Sequence, residues 1–199
     1  EREKLQLQRE QAEAELSFLR AQLNPHFLFN ALHYLHTEAF KASPPLAESV
    51  LQLSDLLRTG LKSAQAESIS VQEEVDMLEN YLAIQQKRFQ GRCFVELEKK
   101  GGDFSQKIEP LLLIPFVENA FKHGDLKEEA HPLRIRLSLE EGELHFFCRN
   151  HIRRGPRDDS SGIGIANIRR RLQLKYPGRH ALEIEEKGDI FQVHLKLQL

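Results

Sequence analysis

Pro110-Leu-Leu-Leu-Ile-Pro-Phe-Val-Glu-Asn-Ala-Phe-Lys-His-Gly124 runs from an unbroken apolar stretch into a polar, charged end. Leu111 to Val117 has to be buried, and Glu118 to His123 continues it as a helix that Gly124 stops. Pro115 has no N–H and is expected to kink this helix near its first turns. A helix with one apolar half and one polar end is half buried, with the polar end aimed at something. Within that end Asn119 and Lys122 lie three apart and share a face. An amide oxygen suits Mg²⁺, which takes oxygen ligands and keeps several waters, and Lys122 can reach a phosphate. Plain solvation of a helix end is the competing reading.

On either side of this helix the pattern changes to period two. Cys93, Val95 and Leu97 alternate before it, and Gly101-Gly102 makes a turn. After it Leu133, Ile135, Leu137 and Leu139 alternate, Glu141-Gly142 turns, and Leu144, Phe146 and Cys148 alternate again. Leu182 and Ile184, the turn Lys187-Gly188-Asp189, and the row Phe191, Val193, Leu195 and Leu197 complete the set. The second half therefore reads as α+β, a mainly antiparallel sheet with helices on one face. Between the strands, residues 151–161 form a polar loop that ends on Gly162-x-Gly164-x-x-Asn167 and opens a helix with Ile165, Ile168 and Leu172 on one face. Glycines at a helix N-terminus let backbone N–H groups approach an anion. Arg169, Arg170 and Arg171 follow, and either neutralise phosphate or make a solvated basic face.

The first half is helical. Ser70-Val71-Gln72-Glu73 is a capping box, opening a helix with Val71, Val75, Leu78 and Leu82 on one face and ending near Phe89, with Gly91 beyond. A domain boundary is expected there, giving residues 1–90 and 91–199. Upstream, Leu46, Val50, Leu53, Leu57 and Leu61 form an apolar stripe on a helix that Ser43 caps and Pro44 begins. Leu5, Ala12 and Leu19, with Leu16 and Leu23, make a short coiled-coil seam. It leads into Gln22-Leu-Asn-Pro-His-Phe-Leu-Phe-Asn30, where Pro25 is expected to bend the axis and turn His26 outward. Asn30 lies four residues on, on the same face. Neutral imidazole is a nucleophile that titrates near neutrality. Two helices with a short connection form an antiparallel hairpin, and two hairpins close into a four-helix bundle by dimerisation.

The 199 residues allow one or two domains. A formal net charge of −2 argues against direct nucleic-acid binding through general electrostatics. No apolar run approaches the roughly 20 residues that span a bilayer, and no signal peptide is apparent. The opening at Glu1, helical in character, suggests a piece of a longer protein. Cys93 and Cys148 read as buried free thiols in a reducing compartment, and no Cys/His spacing suggests zinc.

Asn-Pro-His-Phe-Leu-Phe-Asn at 24–30, Val-Glu-Asn-Ala-Phe-Lys-His-Gly at 117–124 and Gly-Ile-Gly-Ile-Ala-Asn-Ile-Arg-Arg-Arg-Leu at 162–172 resemble the three signature blocks of the LytS-like sensor histidine kinases, in that family's order. Tyr81 to Phe89 resembles its linker. The resemblance implies a dimerising phosphotransfer hairpin followed by a GHKL-type ATP-binding α/β sandwich. It makes His26 the phosphoacceptor and Asn119 the Mg²⁺ ligand. Lys122 and His123 would lie near phosphate, and Gly162, Gly164 and Asn167 would line the ATP pocket, with Arg171 among the ATP-binding residues, under a lid of residues 151–161. Asn150 stands where GHKL domains carry an Asp that accepts from the adenine amine, and its amide oxygen can accept too. Phe27 stands where other histidine kinases have an acidic residue. Asn30 matches the position whose amide orients water for dephosphorylating the regulator; packing that fixes bundle register is the alternative. The implied protein is a homodimeric, inner-membrane-anchored sensor kinase. It would touch the membrane only upstream of this cytoplasmic part and pass its phosphoryl group to a response regulator of the LytTR type. A dimeric signalling scaffold without phosphotransfer, or a GHKL ATPase without a histidine acceptor, are the rivals.

Overall fold

The computed structural model describes residues 25–153 and 163–199. The coiled-coil seam, the chain before Pro25 on which the expected bend depends, Gly162 and the part of the expected lid beyond Arg153 lie outside the described residues. Packing divides the chain after Arg58, with a second unit running from Thr59 to Leu199.

Helices α1 (Pro25–Ala42) and α2 (Pro44–Gln65), the second of which runs across that division, are separated by Ser43 alone. The Ser43 carbonyl accepts from Leu46 and Ala47 N–H at 3.0 Å, so α2 starts at Pro44, where proline's fixed φ and missing donor cost nothing. Leu32, Ala39, Ala47 and Ser54 are buried, while Tyr34, Leu35, Phe40, Leu46, Leu51 and Leu53 are exposed. The apolar stripe of α2 is thus uncovered within one chain at two of its members, Leu46 at 53% and Leu53 at 39% exposure.

After the end of α2, the second unit continues with strand β1 (Ile69–Ser70) and helix α3 (Val71–Arg88). Ser70 Oγ accepts from Glu73 N–H at 3.1 Å, and Glu73 Oε2 accepts from Ser70 N–H at 2.7 Å, completing the expected capping box. Helix α3 buries Val71, Val75, Leu78 and Leu82 as read from the sequence, and with them Met77 and Glu74. These side chains join the core of the following sheet. The boundary expected after residue 90 is therefore not where the packing divides: α3 carries an apolar stripe and lies with the unit that covers it.

Strands β2 (Val95–Gly101) and β3 (Lys107–Ile108) come next, then helix α4 (Ile114–His123) and strand β4 (Gly124–Asp125). Strands β5 (Leu133–Glu140) and β6 (Glu143–Ile152), helix α5 (Ile163–Lys175), and strands β7 (His180–Lys187) and β8 (Ile190–Gln198) complete the order. The sheet runs β2-β5-β6-β8-β7, with β4 also paired to β6. Among the described strands only the β2–β5 pair is parallel. Leu133, Ile135, Leu137 and Leu139, Leu144, Phe146 and Cys148, and Val193, Leu195 and Leu197 all face inward, none more than 5% exposed. Each such Leu, Ile or Val contributes about 1.5–3 kcal/mol by leaving water. Helices α3, α4 and α5 supply the other wall of that core through Val75 and Leu78, Phe116 and Val117, and Ile168 and Leu172. Glu141 and Gly142 both have positive φ, 50° and 80°, the backbone of a two-residue hairpin turn whose twist matches the strands.

Pro115 does not kink α4. The helix begins at Ile114, so Pro115 lies within its first two positions, where no N–H is needed. Gly124 ends α4 as expected, its N–H donating to the Ala120 carbonyl. Its φ is −81°, however, so left-handed freedom is not what requires glycine. A Cβ there would overlap the Ala120 carbonyl oxygen and lie 2.9 Å from Asn150 Nδ2.

Candidate nucleotide site

That crowding at Gly124 fixes one side of the candidate site. Helix α4 carries Asn119, half-buried, and Lys122, exposed, on its last turns, with His123 partly buried behind them. The chain leaves α4 straight into β4, which pairs with the end of β6 through Gly124↔Ile152 and Asp125↔His151. Asn150 on β6 is thereby set beneath the end of α4 and is only 2% exposed. Its Nδ2 donates to the His151 carbonyl at 2.8 Å. Its Oδ1 is buried and has no hydrogen-bond partner in the protein. A buried acceptor without a donor is costly, about 1–3 kcal/mol, and such groups in native proteins call for an explanation. A ligand that donates a hydrogen is one.

The chain just past β6 is tied to the same helix end. Arg153 N–H donates to the His123 carbonyl at 2.8 Å, and its Nη2 to the Lys122 carbonyl at 3.1 Å. Arginine on the final carbonyls of a helix suits the negative end of its dipole. Gly164 lies in the first turn of α5 with nothing within 4 Å of where a Cβ would be. Asn167, Arg169 and Arg170 are exposed on that helix, and α5 packs against α4. The described parts thus set a buried acceptor beside a polar helix end, and α5, which packs against that helix, opens on an uncrowded N-terminal turn.

Residues 14–93 match the family model described as histidine kinase. The sensor protein LytS of Enterococcus faecalis is 28% identical over 203 residues, which cover 94% of this chain and 34% of that protein. The sensor protein kinase HptS of Staphylococcus aureus is 30% identical over 194 residues, 88% of this chain and 36% of that one. This chain is a relative of the LytS-like sensor histidine kinases. It spans about a third of the length of these curated relatives. A solved structure described as a bacterial phosphotransferase shares the fold at 12% identity, with a TM-score of 0.50 over 87% of this chain and 88% of that one.

In this LytS-like chain, Asn119, Lys122, His123 and Asn150 converge on one helix end, and Gly164 and Asn167 share the opening turns of α5. Arg171 does not join them. Its guanidinium donates to Glu109 Oε1 at 3.2 Å and to the carbonyls of Leu111, at 3.1 Å, and Pro110. Three protein acceptors leave it a fastener of residues 109–111 rather than a phosphate ligand. His26 lies in the first turn of α1, and Asn30 is exposed one turn on. Among the described residues no three His, Cys, Asp or Glu side chains gather to hold a metal ion, and no helix is long and apolar enough to cross a membrane.

The sequence reading passed over Glu74, which is fully buried. Its carboxylate accepts from Leu111 N–H and Leu113 N–H, both at 2.8 Å. Burial pushes its pKa up, against the backbone N–H groups of the segment, Leu113 first, that pull it down. Its position one residue before Val75 on the buried face of α3 was the available signal.

Proposed function

We propose that the chain is the transmitter part of a sensor histidine kinase of a two-component system, binding ATP in its second unit and phosphorylating His26. The observation that carries this reading is the buried, unpartnered Oδ1 of Asn150 beneath the helix end that bears Asn119, Lys122 and His123. An exocyclic adenine amine is the donor such an oxygen lacks. Asn119 would supply one oxygen to Mg²⁺, whose charge offsets that of the phosphates; a single amide suits an ion that keeps most of its ligands as water and phosphate. Lys122 would neutralise phosphate, and Gly164 and Asn167 would line the pocket with Gly162.

In the transfer, a neutral imidazole nitrogen of His26 bonds to the γ-phosphorus. The bond from that phosphorus to the bridging oxygen breaks, ADP keeps the electron pair, and the ring gives its proton to solvent. Positioning and charge neutralisation supply most of the catalysis in such a reaction. The phosphoryl group then moves to an aspartate of a response regulator. The similarity to LytS favours a regulator of the LytTR type and a membrane-anchored whole protein. The exposed Tyr34, Leu35, Phe40, Leu46, Leu51 and Leu53 favour a homodimer, since large apolar side chains left in water on a helical hairpin are what a partner would cover. Asn30, exposed one turn after His26, would orient water in regulator dephosphorylation, with packing that fixes the bundle register as the alternative.

The test is incubation of the 199-residue chain with γ-labelled ATP and Mg²⁺. Acid-labile, alkali-stable label that disappears in His26→Gln is expected, with nucleotide binding retained in that variant. Label that persists in His26→Gln moves the acceptor elsewhere. No label and no nucleotide binding in the wild type overturn the kinase reading in favour of a signalling scaffold.

A further inference from the structure

Residues 109–113 lead into α4, and two other helices hold them. Glu74 of α3 accepts from Leu111 and Leu113 N–H, at 2.8 Å each. Arg171 of α5 donates to the Leu111 and Pro110 carbonyls and to the Glu109 carboxylate. Just past α5, Tyr176 Oη accepts from Glu109 N–H at 2.8 Å. Leu111 is therefore gripped at both its polar groups, its N–H by α3 and its carbonyl by α5. It is held at φ 54°, a left-handed conformation that a leucine keeps only where its surroundings over-determine it.

Helix α4 needs this help. Its N-cap is Leu113, whose side chain makes no capping bond. A helix N-terminus leaves N–H groups without acceptors, and here a carboxylate from another helix serves in their place, its charge suited to the positive end of the dipole. Asn119 follows six residues on, roughly 9 Å along the axis at 1.5 Å per residue. A tilt at the N-terminal end of α4 moves Asn119, Lys122 and His123 together.

We propose that Glu74 is a positioning residue for nucleotide binding: by holding the Leu111–Leu113 backbone from α3, against Arg171 and Tyr176 on the α5 side, it sets the helix that presents Asn119. This rests on the kinase reading above and adds to it a physical link from α3 to both helices that frame the nucleotide. A change in the pose of α3 is transmitted through one carboxylate to α4, and through the shared Leu111 to α5.

The experiment is steady-state autophosphorylation of His26, at varied ATP, in wild type, Glu74→Gln and Tyr176→Phe. Gln keeps the size of the side chain and replaces one acceptor oxygen by a donor. Glu74→Gln is expected to raise KM for ATP about tenfold while kcat stays within about twofold, the signature of lost ground-state binding geometry. Tyr176→Phe, which leaves Glu74 in place and removes only the acceptor for Glu109 N–H, is expected to move KM the same way by a smaller factor. Hydrogen exchange without nucleotide is expected to quicken across residues 109–123 in both variants. A purely structural Glu74 lowers the active fraction and so the apparent kcat, with KM unchanged; that result overturns the proposal, as does a wild-type KM in either variant. A wild type that neither binds ATP nor labels His26 overturns the kinase reading itself, and the positioning role with it. If Glu74→Gln does not fold, Tyr176→Phe alone decides by the same criteria.

Discussion

Replacing Gly124 by Ala tests how the end of α4 is built. Alanine accepts the backbone φ −81°, ψ 150° found there, so the cost is steric alone. The new methyl would overlap the Ala120 carbonyl oxygen and lie 2.9 Å from Asn150 Nδ2 and 3.0 Å from Leu126 Cδ2. The first neighbour is backbone, held in place because that carbonyl accepts the Gly124 N–H. The second is fixed by its bond to the His151 carbonyl, and the third belongs to a buried side chain. Forcing a methyl into such a site costs about 1–3 kcal/mol, and three neighbours that cannot swing away put it near 3. Alanine regains about 0.4–1 kcal/mol by restricting the unfolded chain. The net loss is about 2 kcal/mol. At roughly 2–4 °C per kcal/mol for a chain of this size, the thermal midpoint should fall by roughly 4–8 °C. Gly102→Ala is the control, since nothing lies within 4 Å of its Cβ position. Melts of wild type and the two variants, followed by circular dichroism, make the comparison. Equal midpoints for Gly124→Ala and Gly102→Ala would refute the packing account of this helix end.

Gly164→Ala should do the reverse. With open space around the Cβ position and a helical setting, alanine should stabilise the free protein by up to about 1 kcal/mol. In the proposed site it should weaken binding of a fluorescent ATP analogue, because the methyl occupies the approach to the α5 N-terminal turn; unchanged affinity would remove Gly164 from the site. Asn150→Asp should lower stability by about 1–3 kcal/mol, measured by urea unfolding, because a carboxylate cannot donate to the His151 carbonyl and would be buried beside it. Cys148 should resist thiol reagents in the native state. Burial raises its pKa to about 12, so at pH 8 roughly one molecule in ten thousand carries the thiolate. The thiol disulfide-exchange assay should show Cys148 reacting only at the rate of unfolding, and fast native labelling would contradict its placement in β6.

The rows of alternating apolar residues fix which face of each strand is inward, because a slip of one residue would turn a whole row outward. Leu133 to Leu139, Leu144 to Cys148 and Val193 to Leu197 were legible for that reason, and so was the capping box at Ser70 and Glu73, whose partners are three residues apart. The two-residue strands β1, β3 and β4 were not, since no periodicity can be seen in so few residues. Pro115 was misread because its effect depends on where the helix begins, and that start is set by Glu74, from 37 or more residues earlier in the chain. Arg171 was misread for the same kind of reason. Three basic residues in a row look alike in sequence, and only the fold decides that one turns to residues 109–111 while Arg169 and Arg170 remain exposed. Helix α3 was assigned to the wrong side of a boundary because its stripe shows that it is covered without showing by what.

Asn150 illustrates what one departure from a family pattern does to a site. In its place beneath Gly124, an amide satisfies one neighbour with its own N–H and leaves one buried acceptor, Oδ1. A carboxylate would offer more acceptors but would be opposed by the His151 carbonyl and by burial. In the proposed site the asparagine would therefore exchange a charge-assisted contact to adenine for a neutral one of roughly half the strength. Binding in the proposed site must then draw more of its free energy from the polar end of α4 and the first turn of α5. Both are set from the segment 109–113, one as its continuation and the other through Arg171. A site with a weakened adenine contact depends more heavily on the pose of these two helices, and so on the pose of α3, than one anchored by an aspartate.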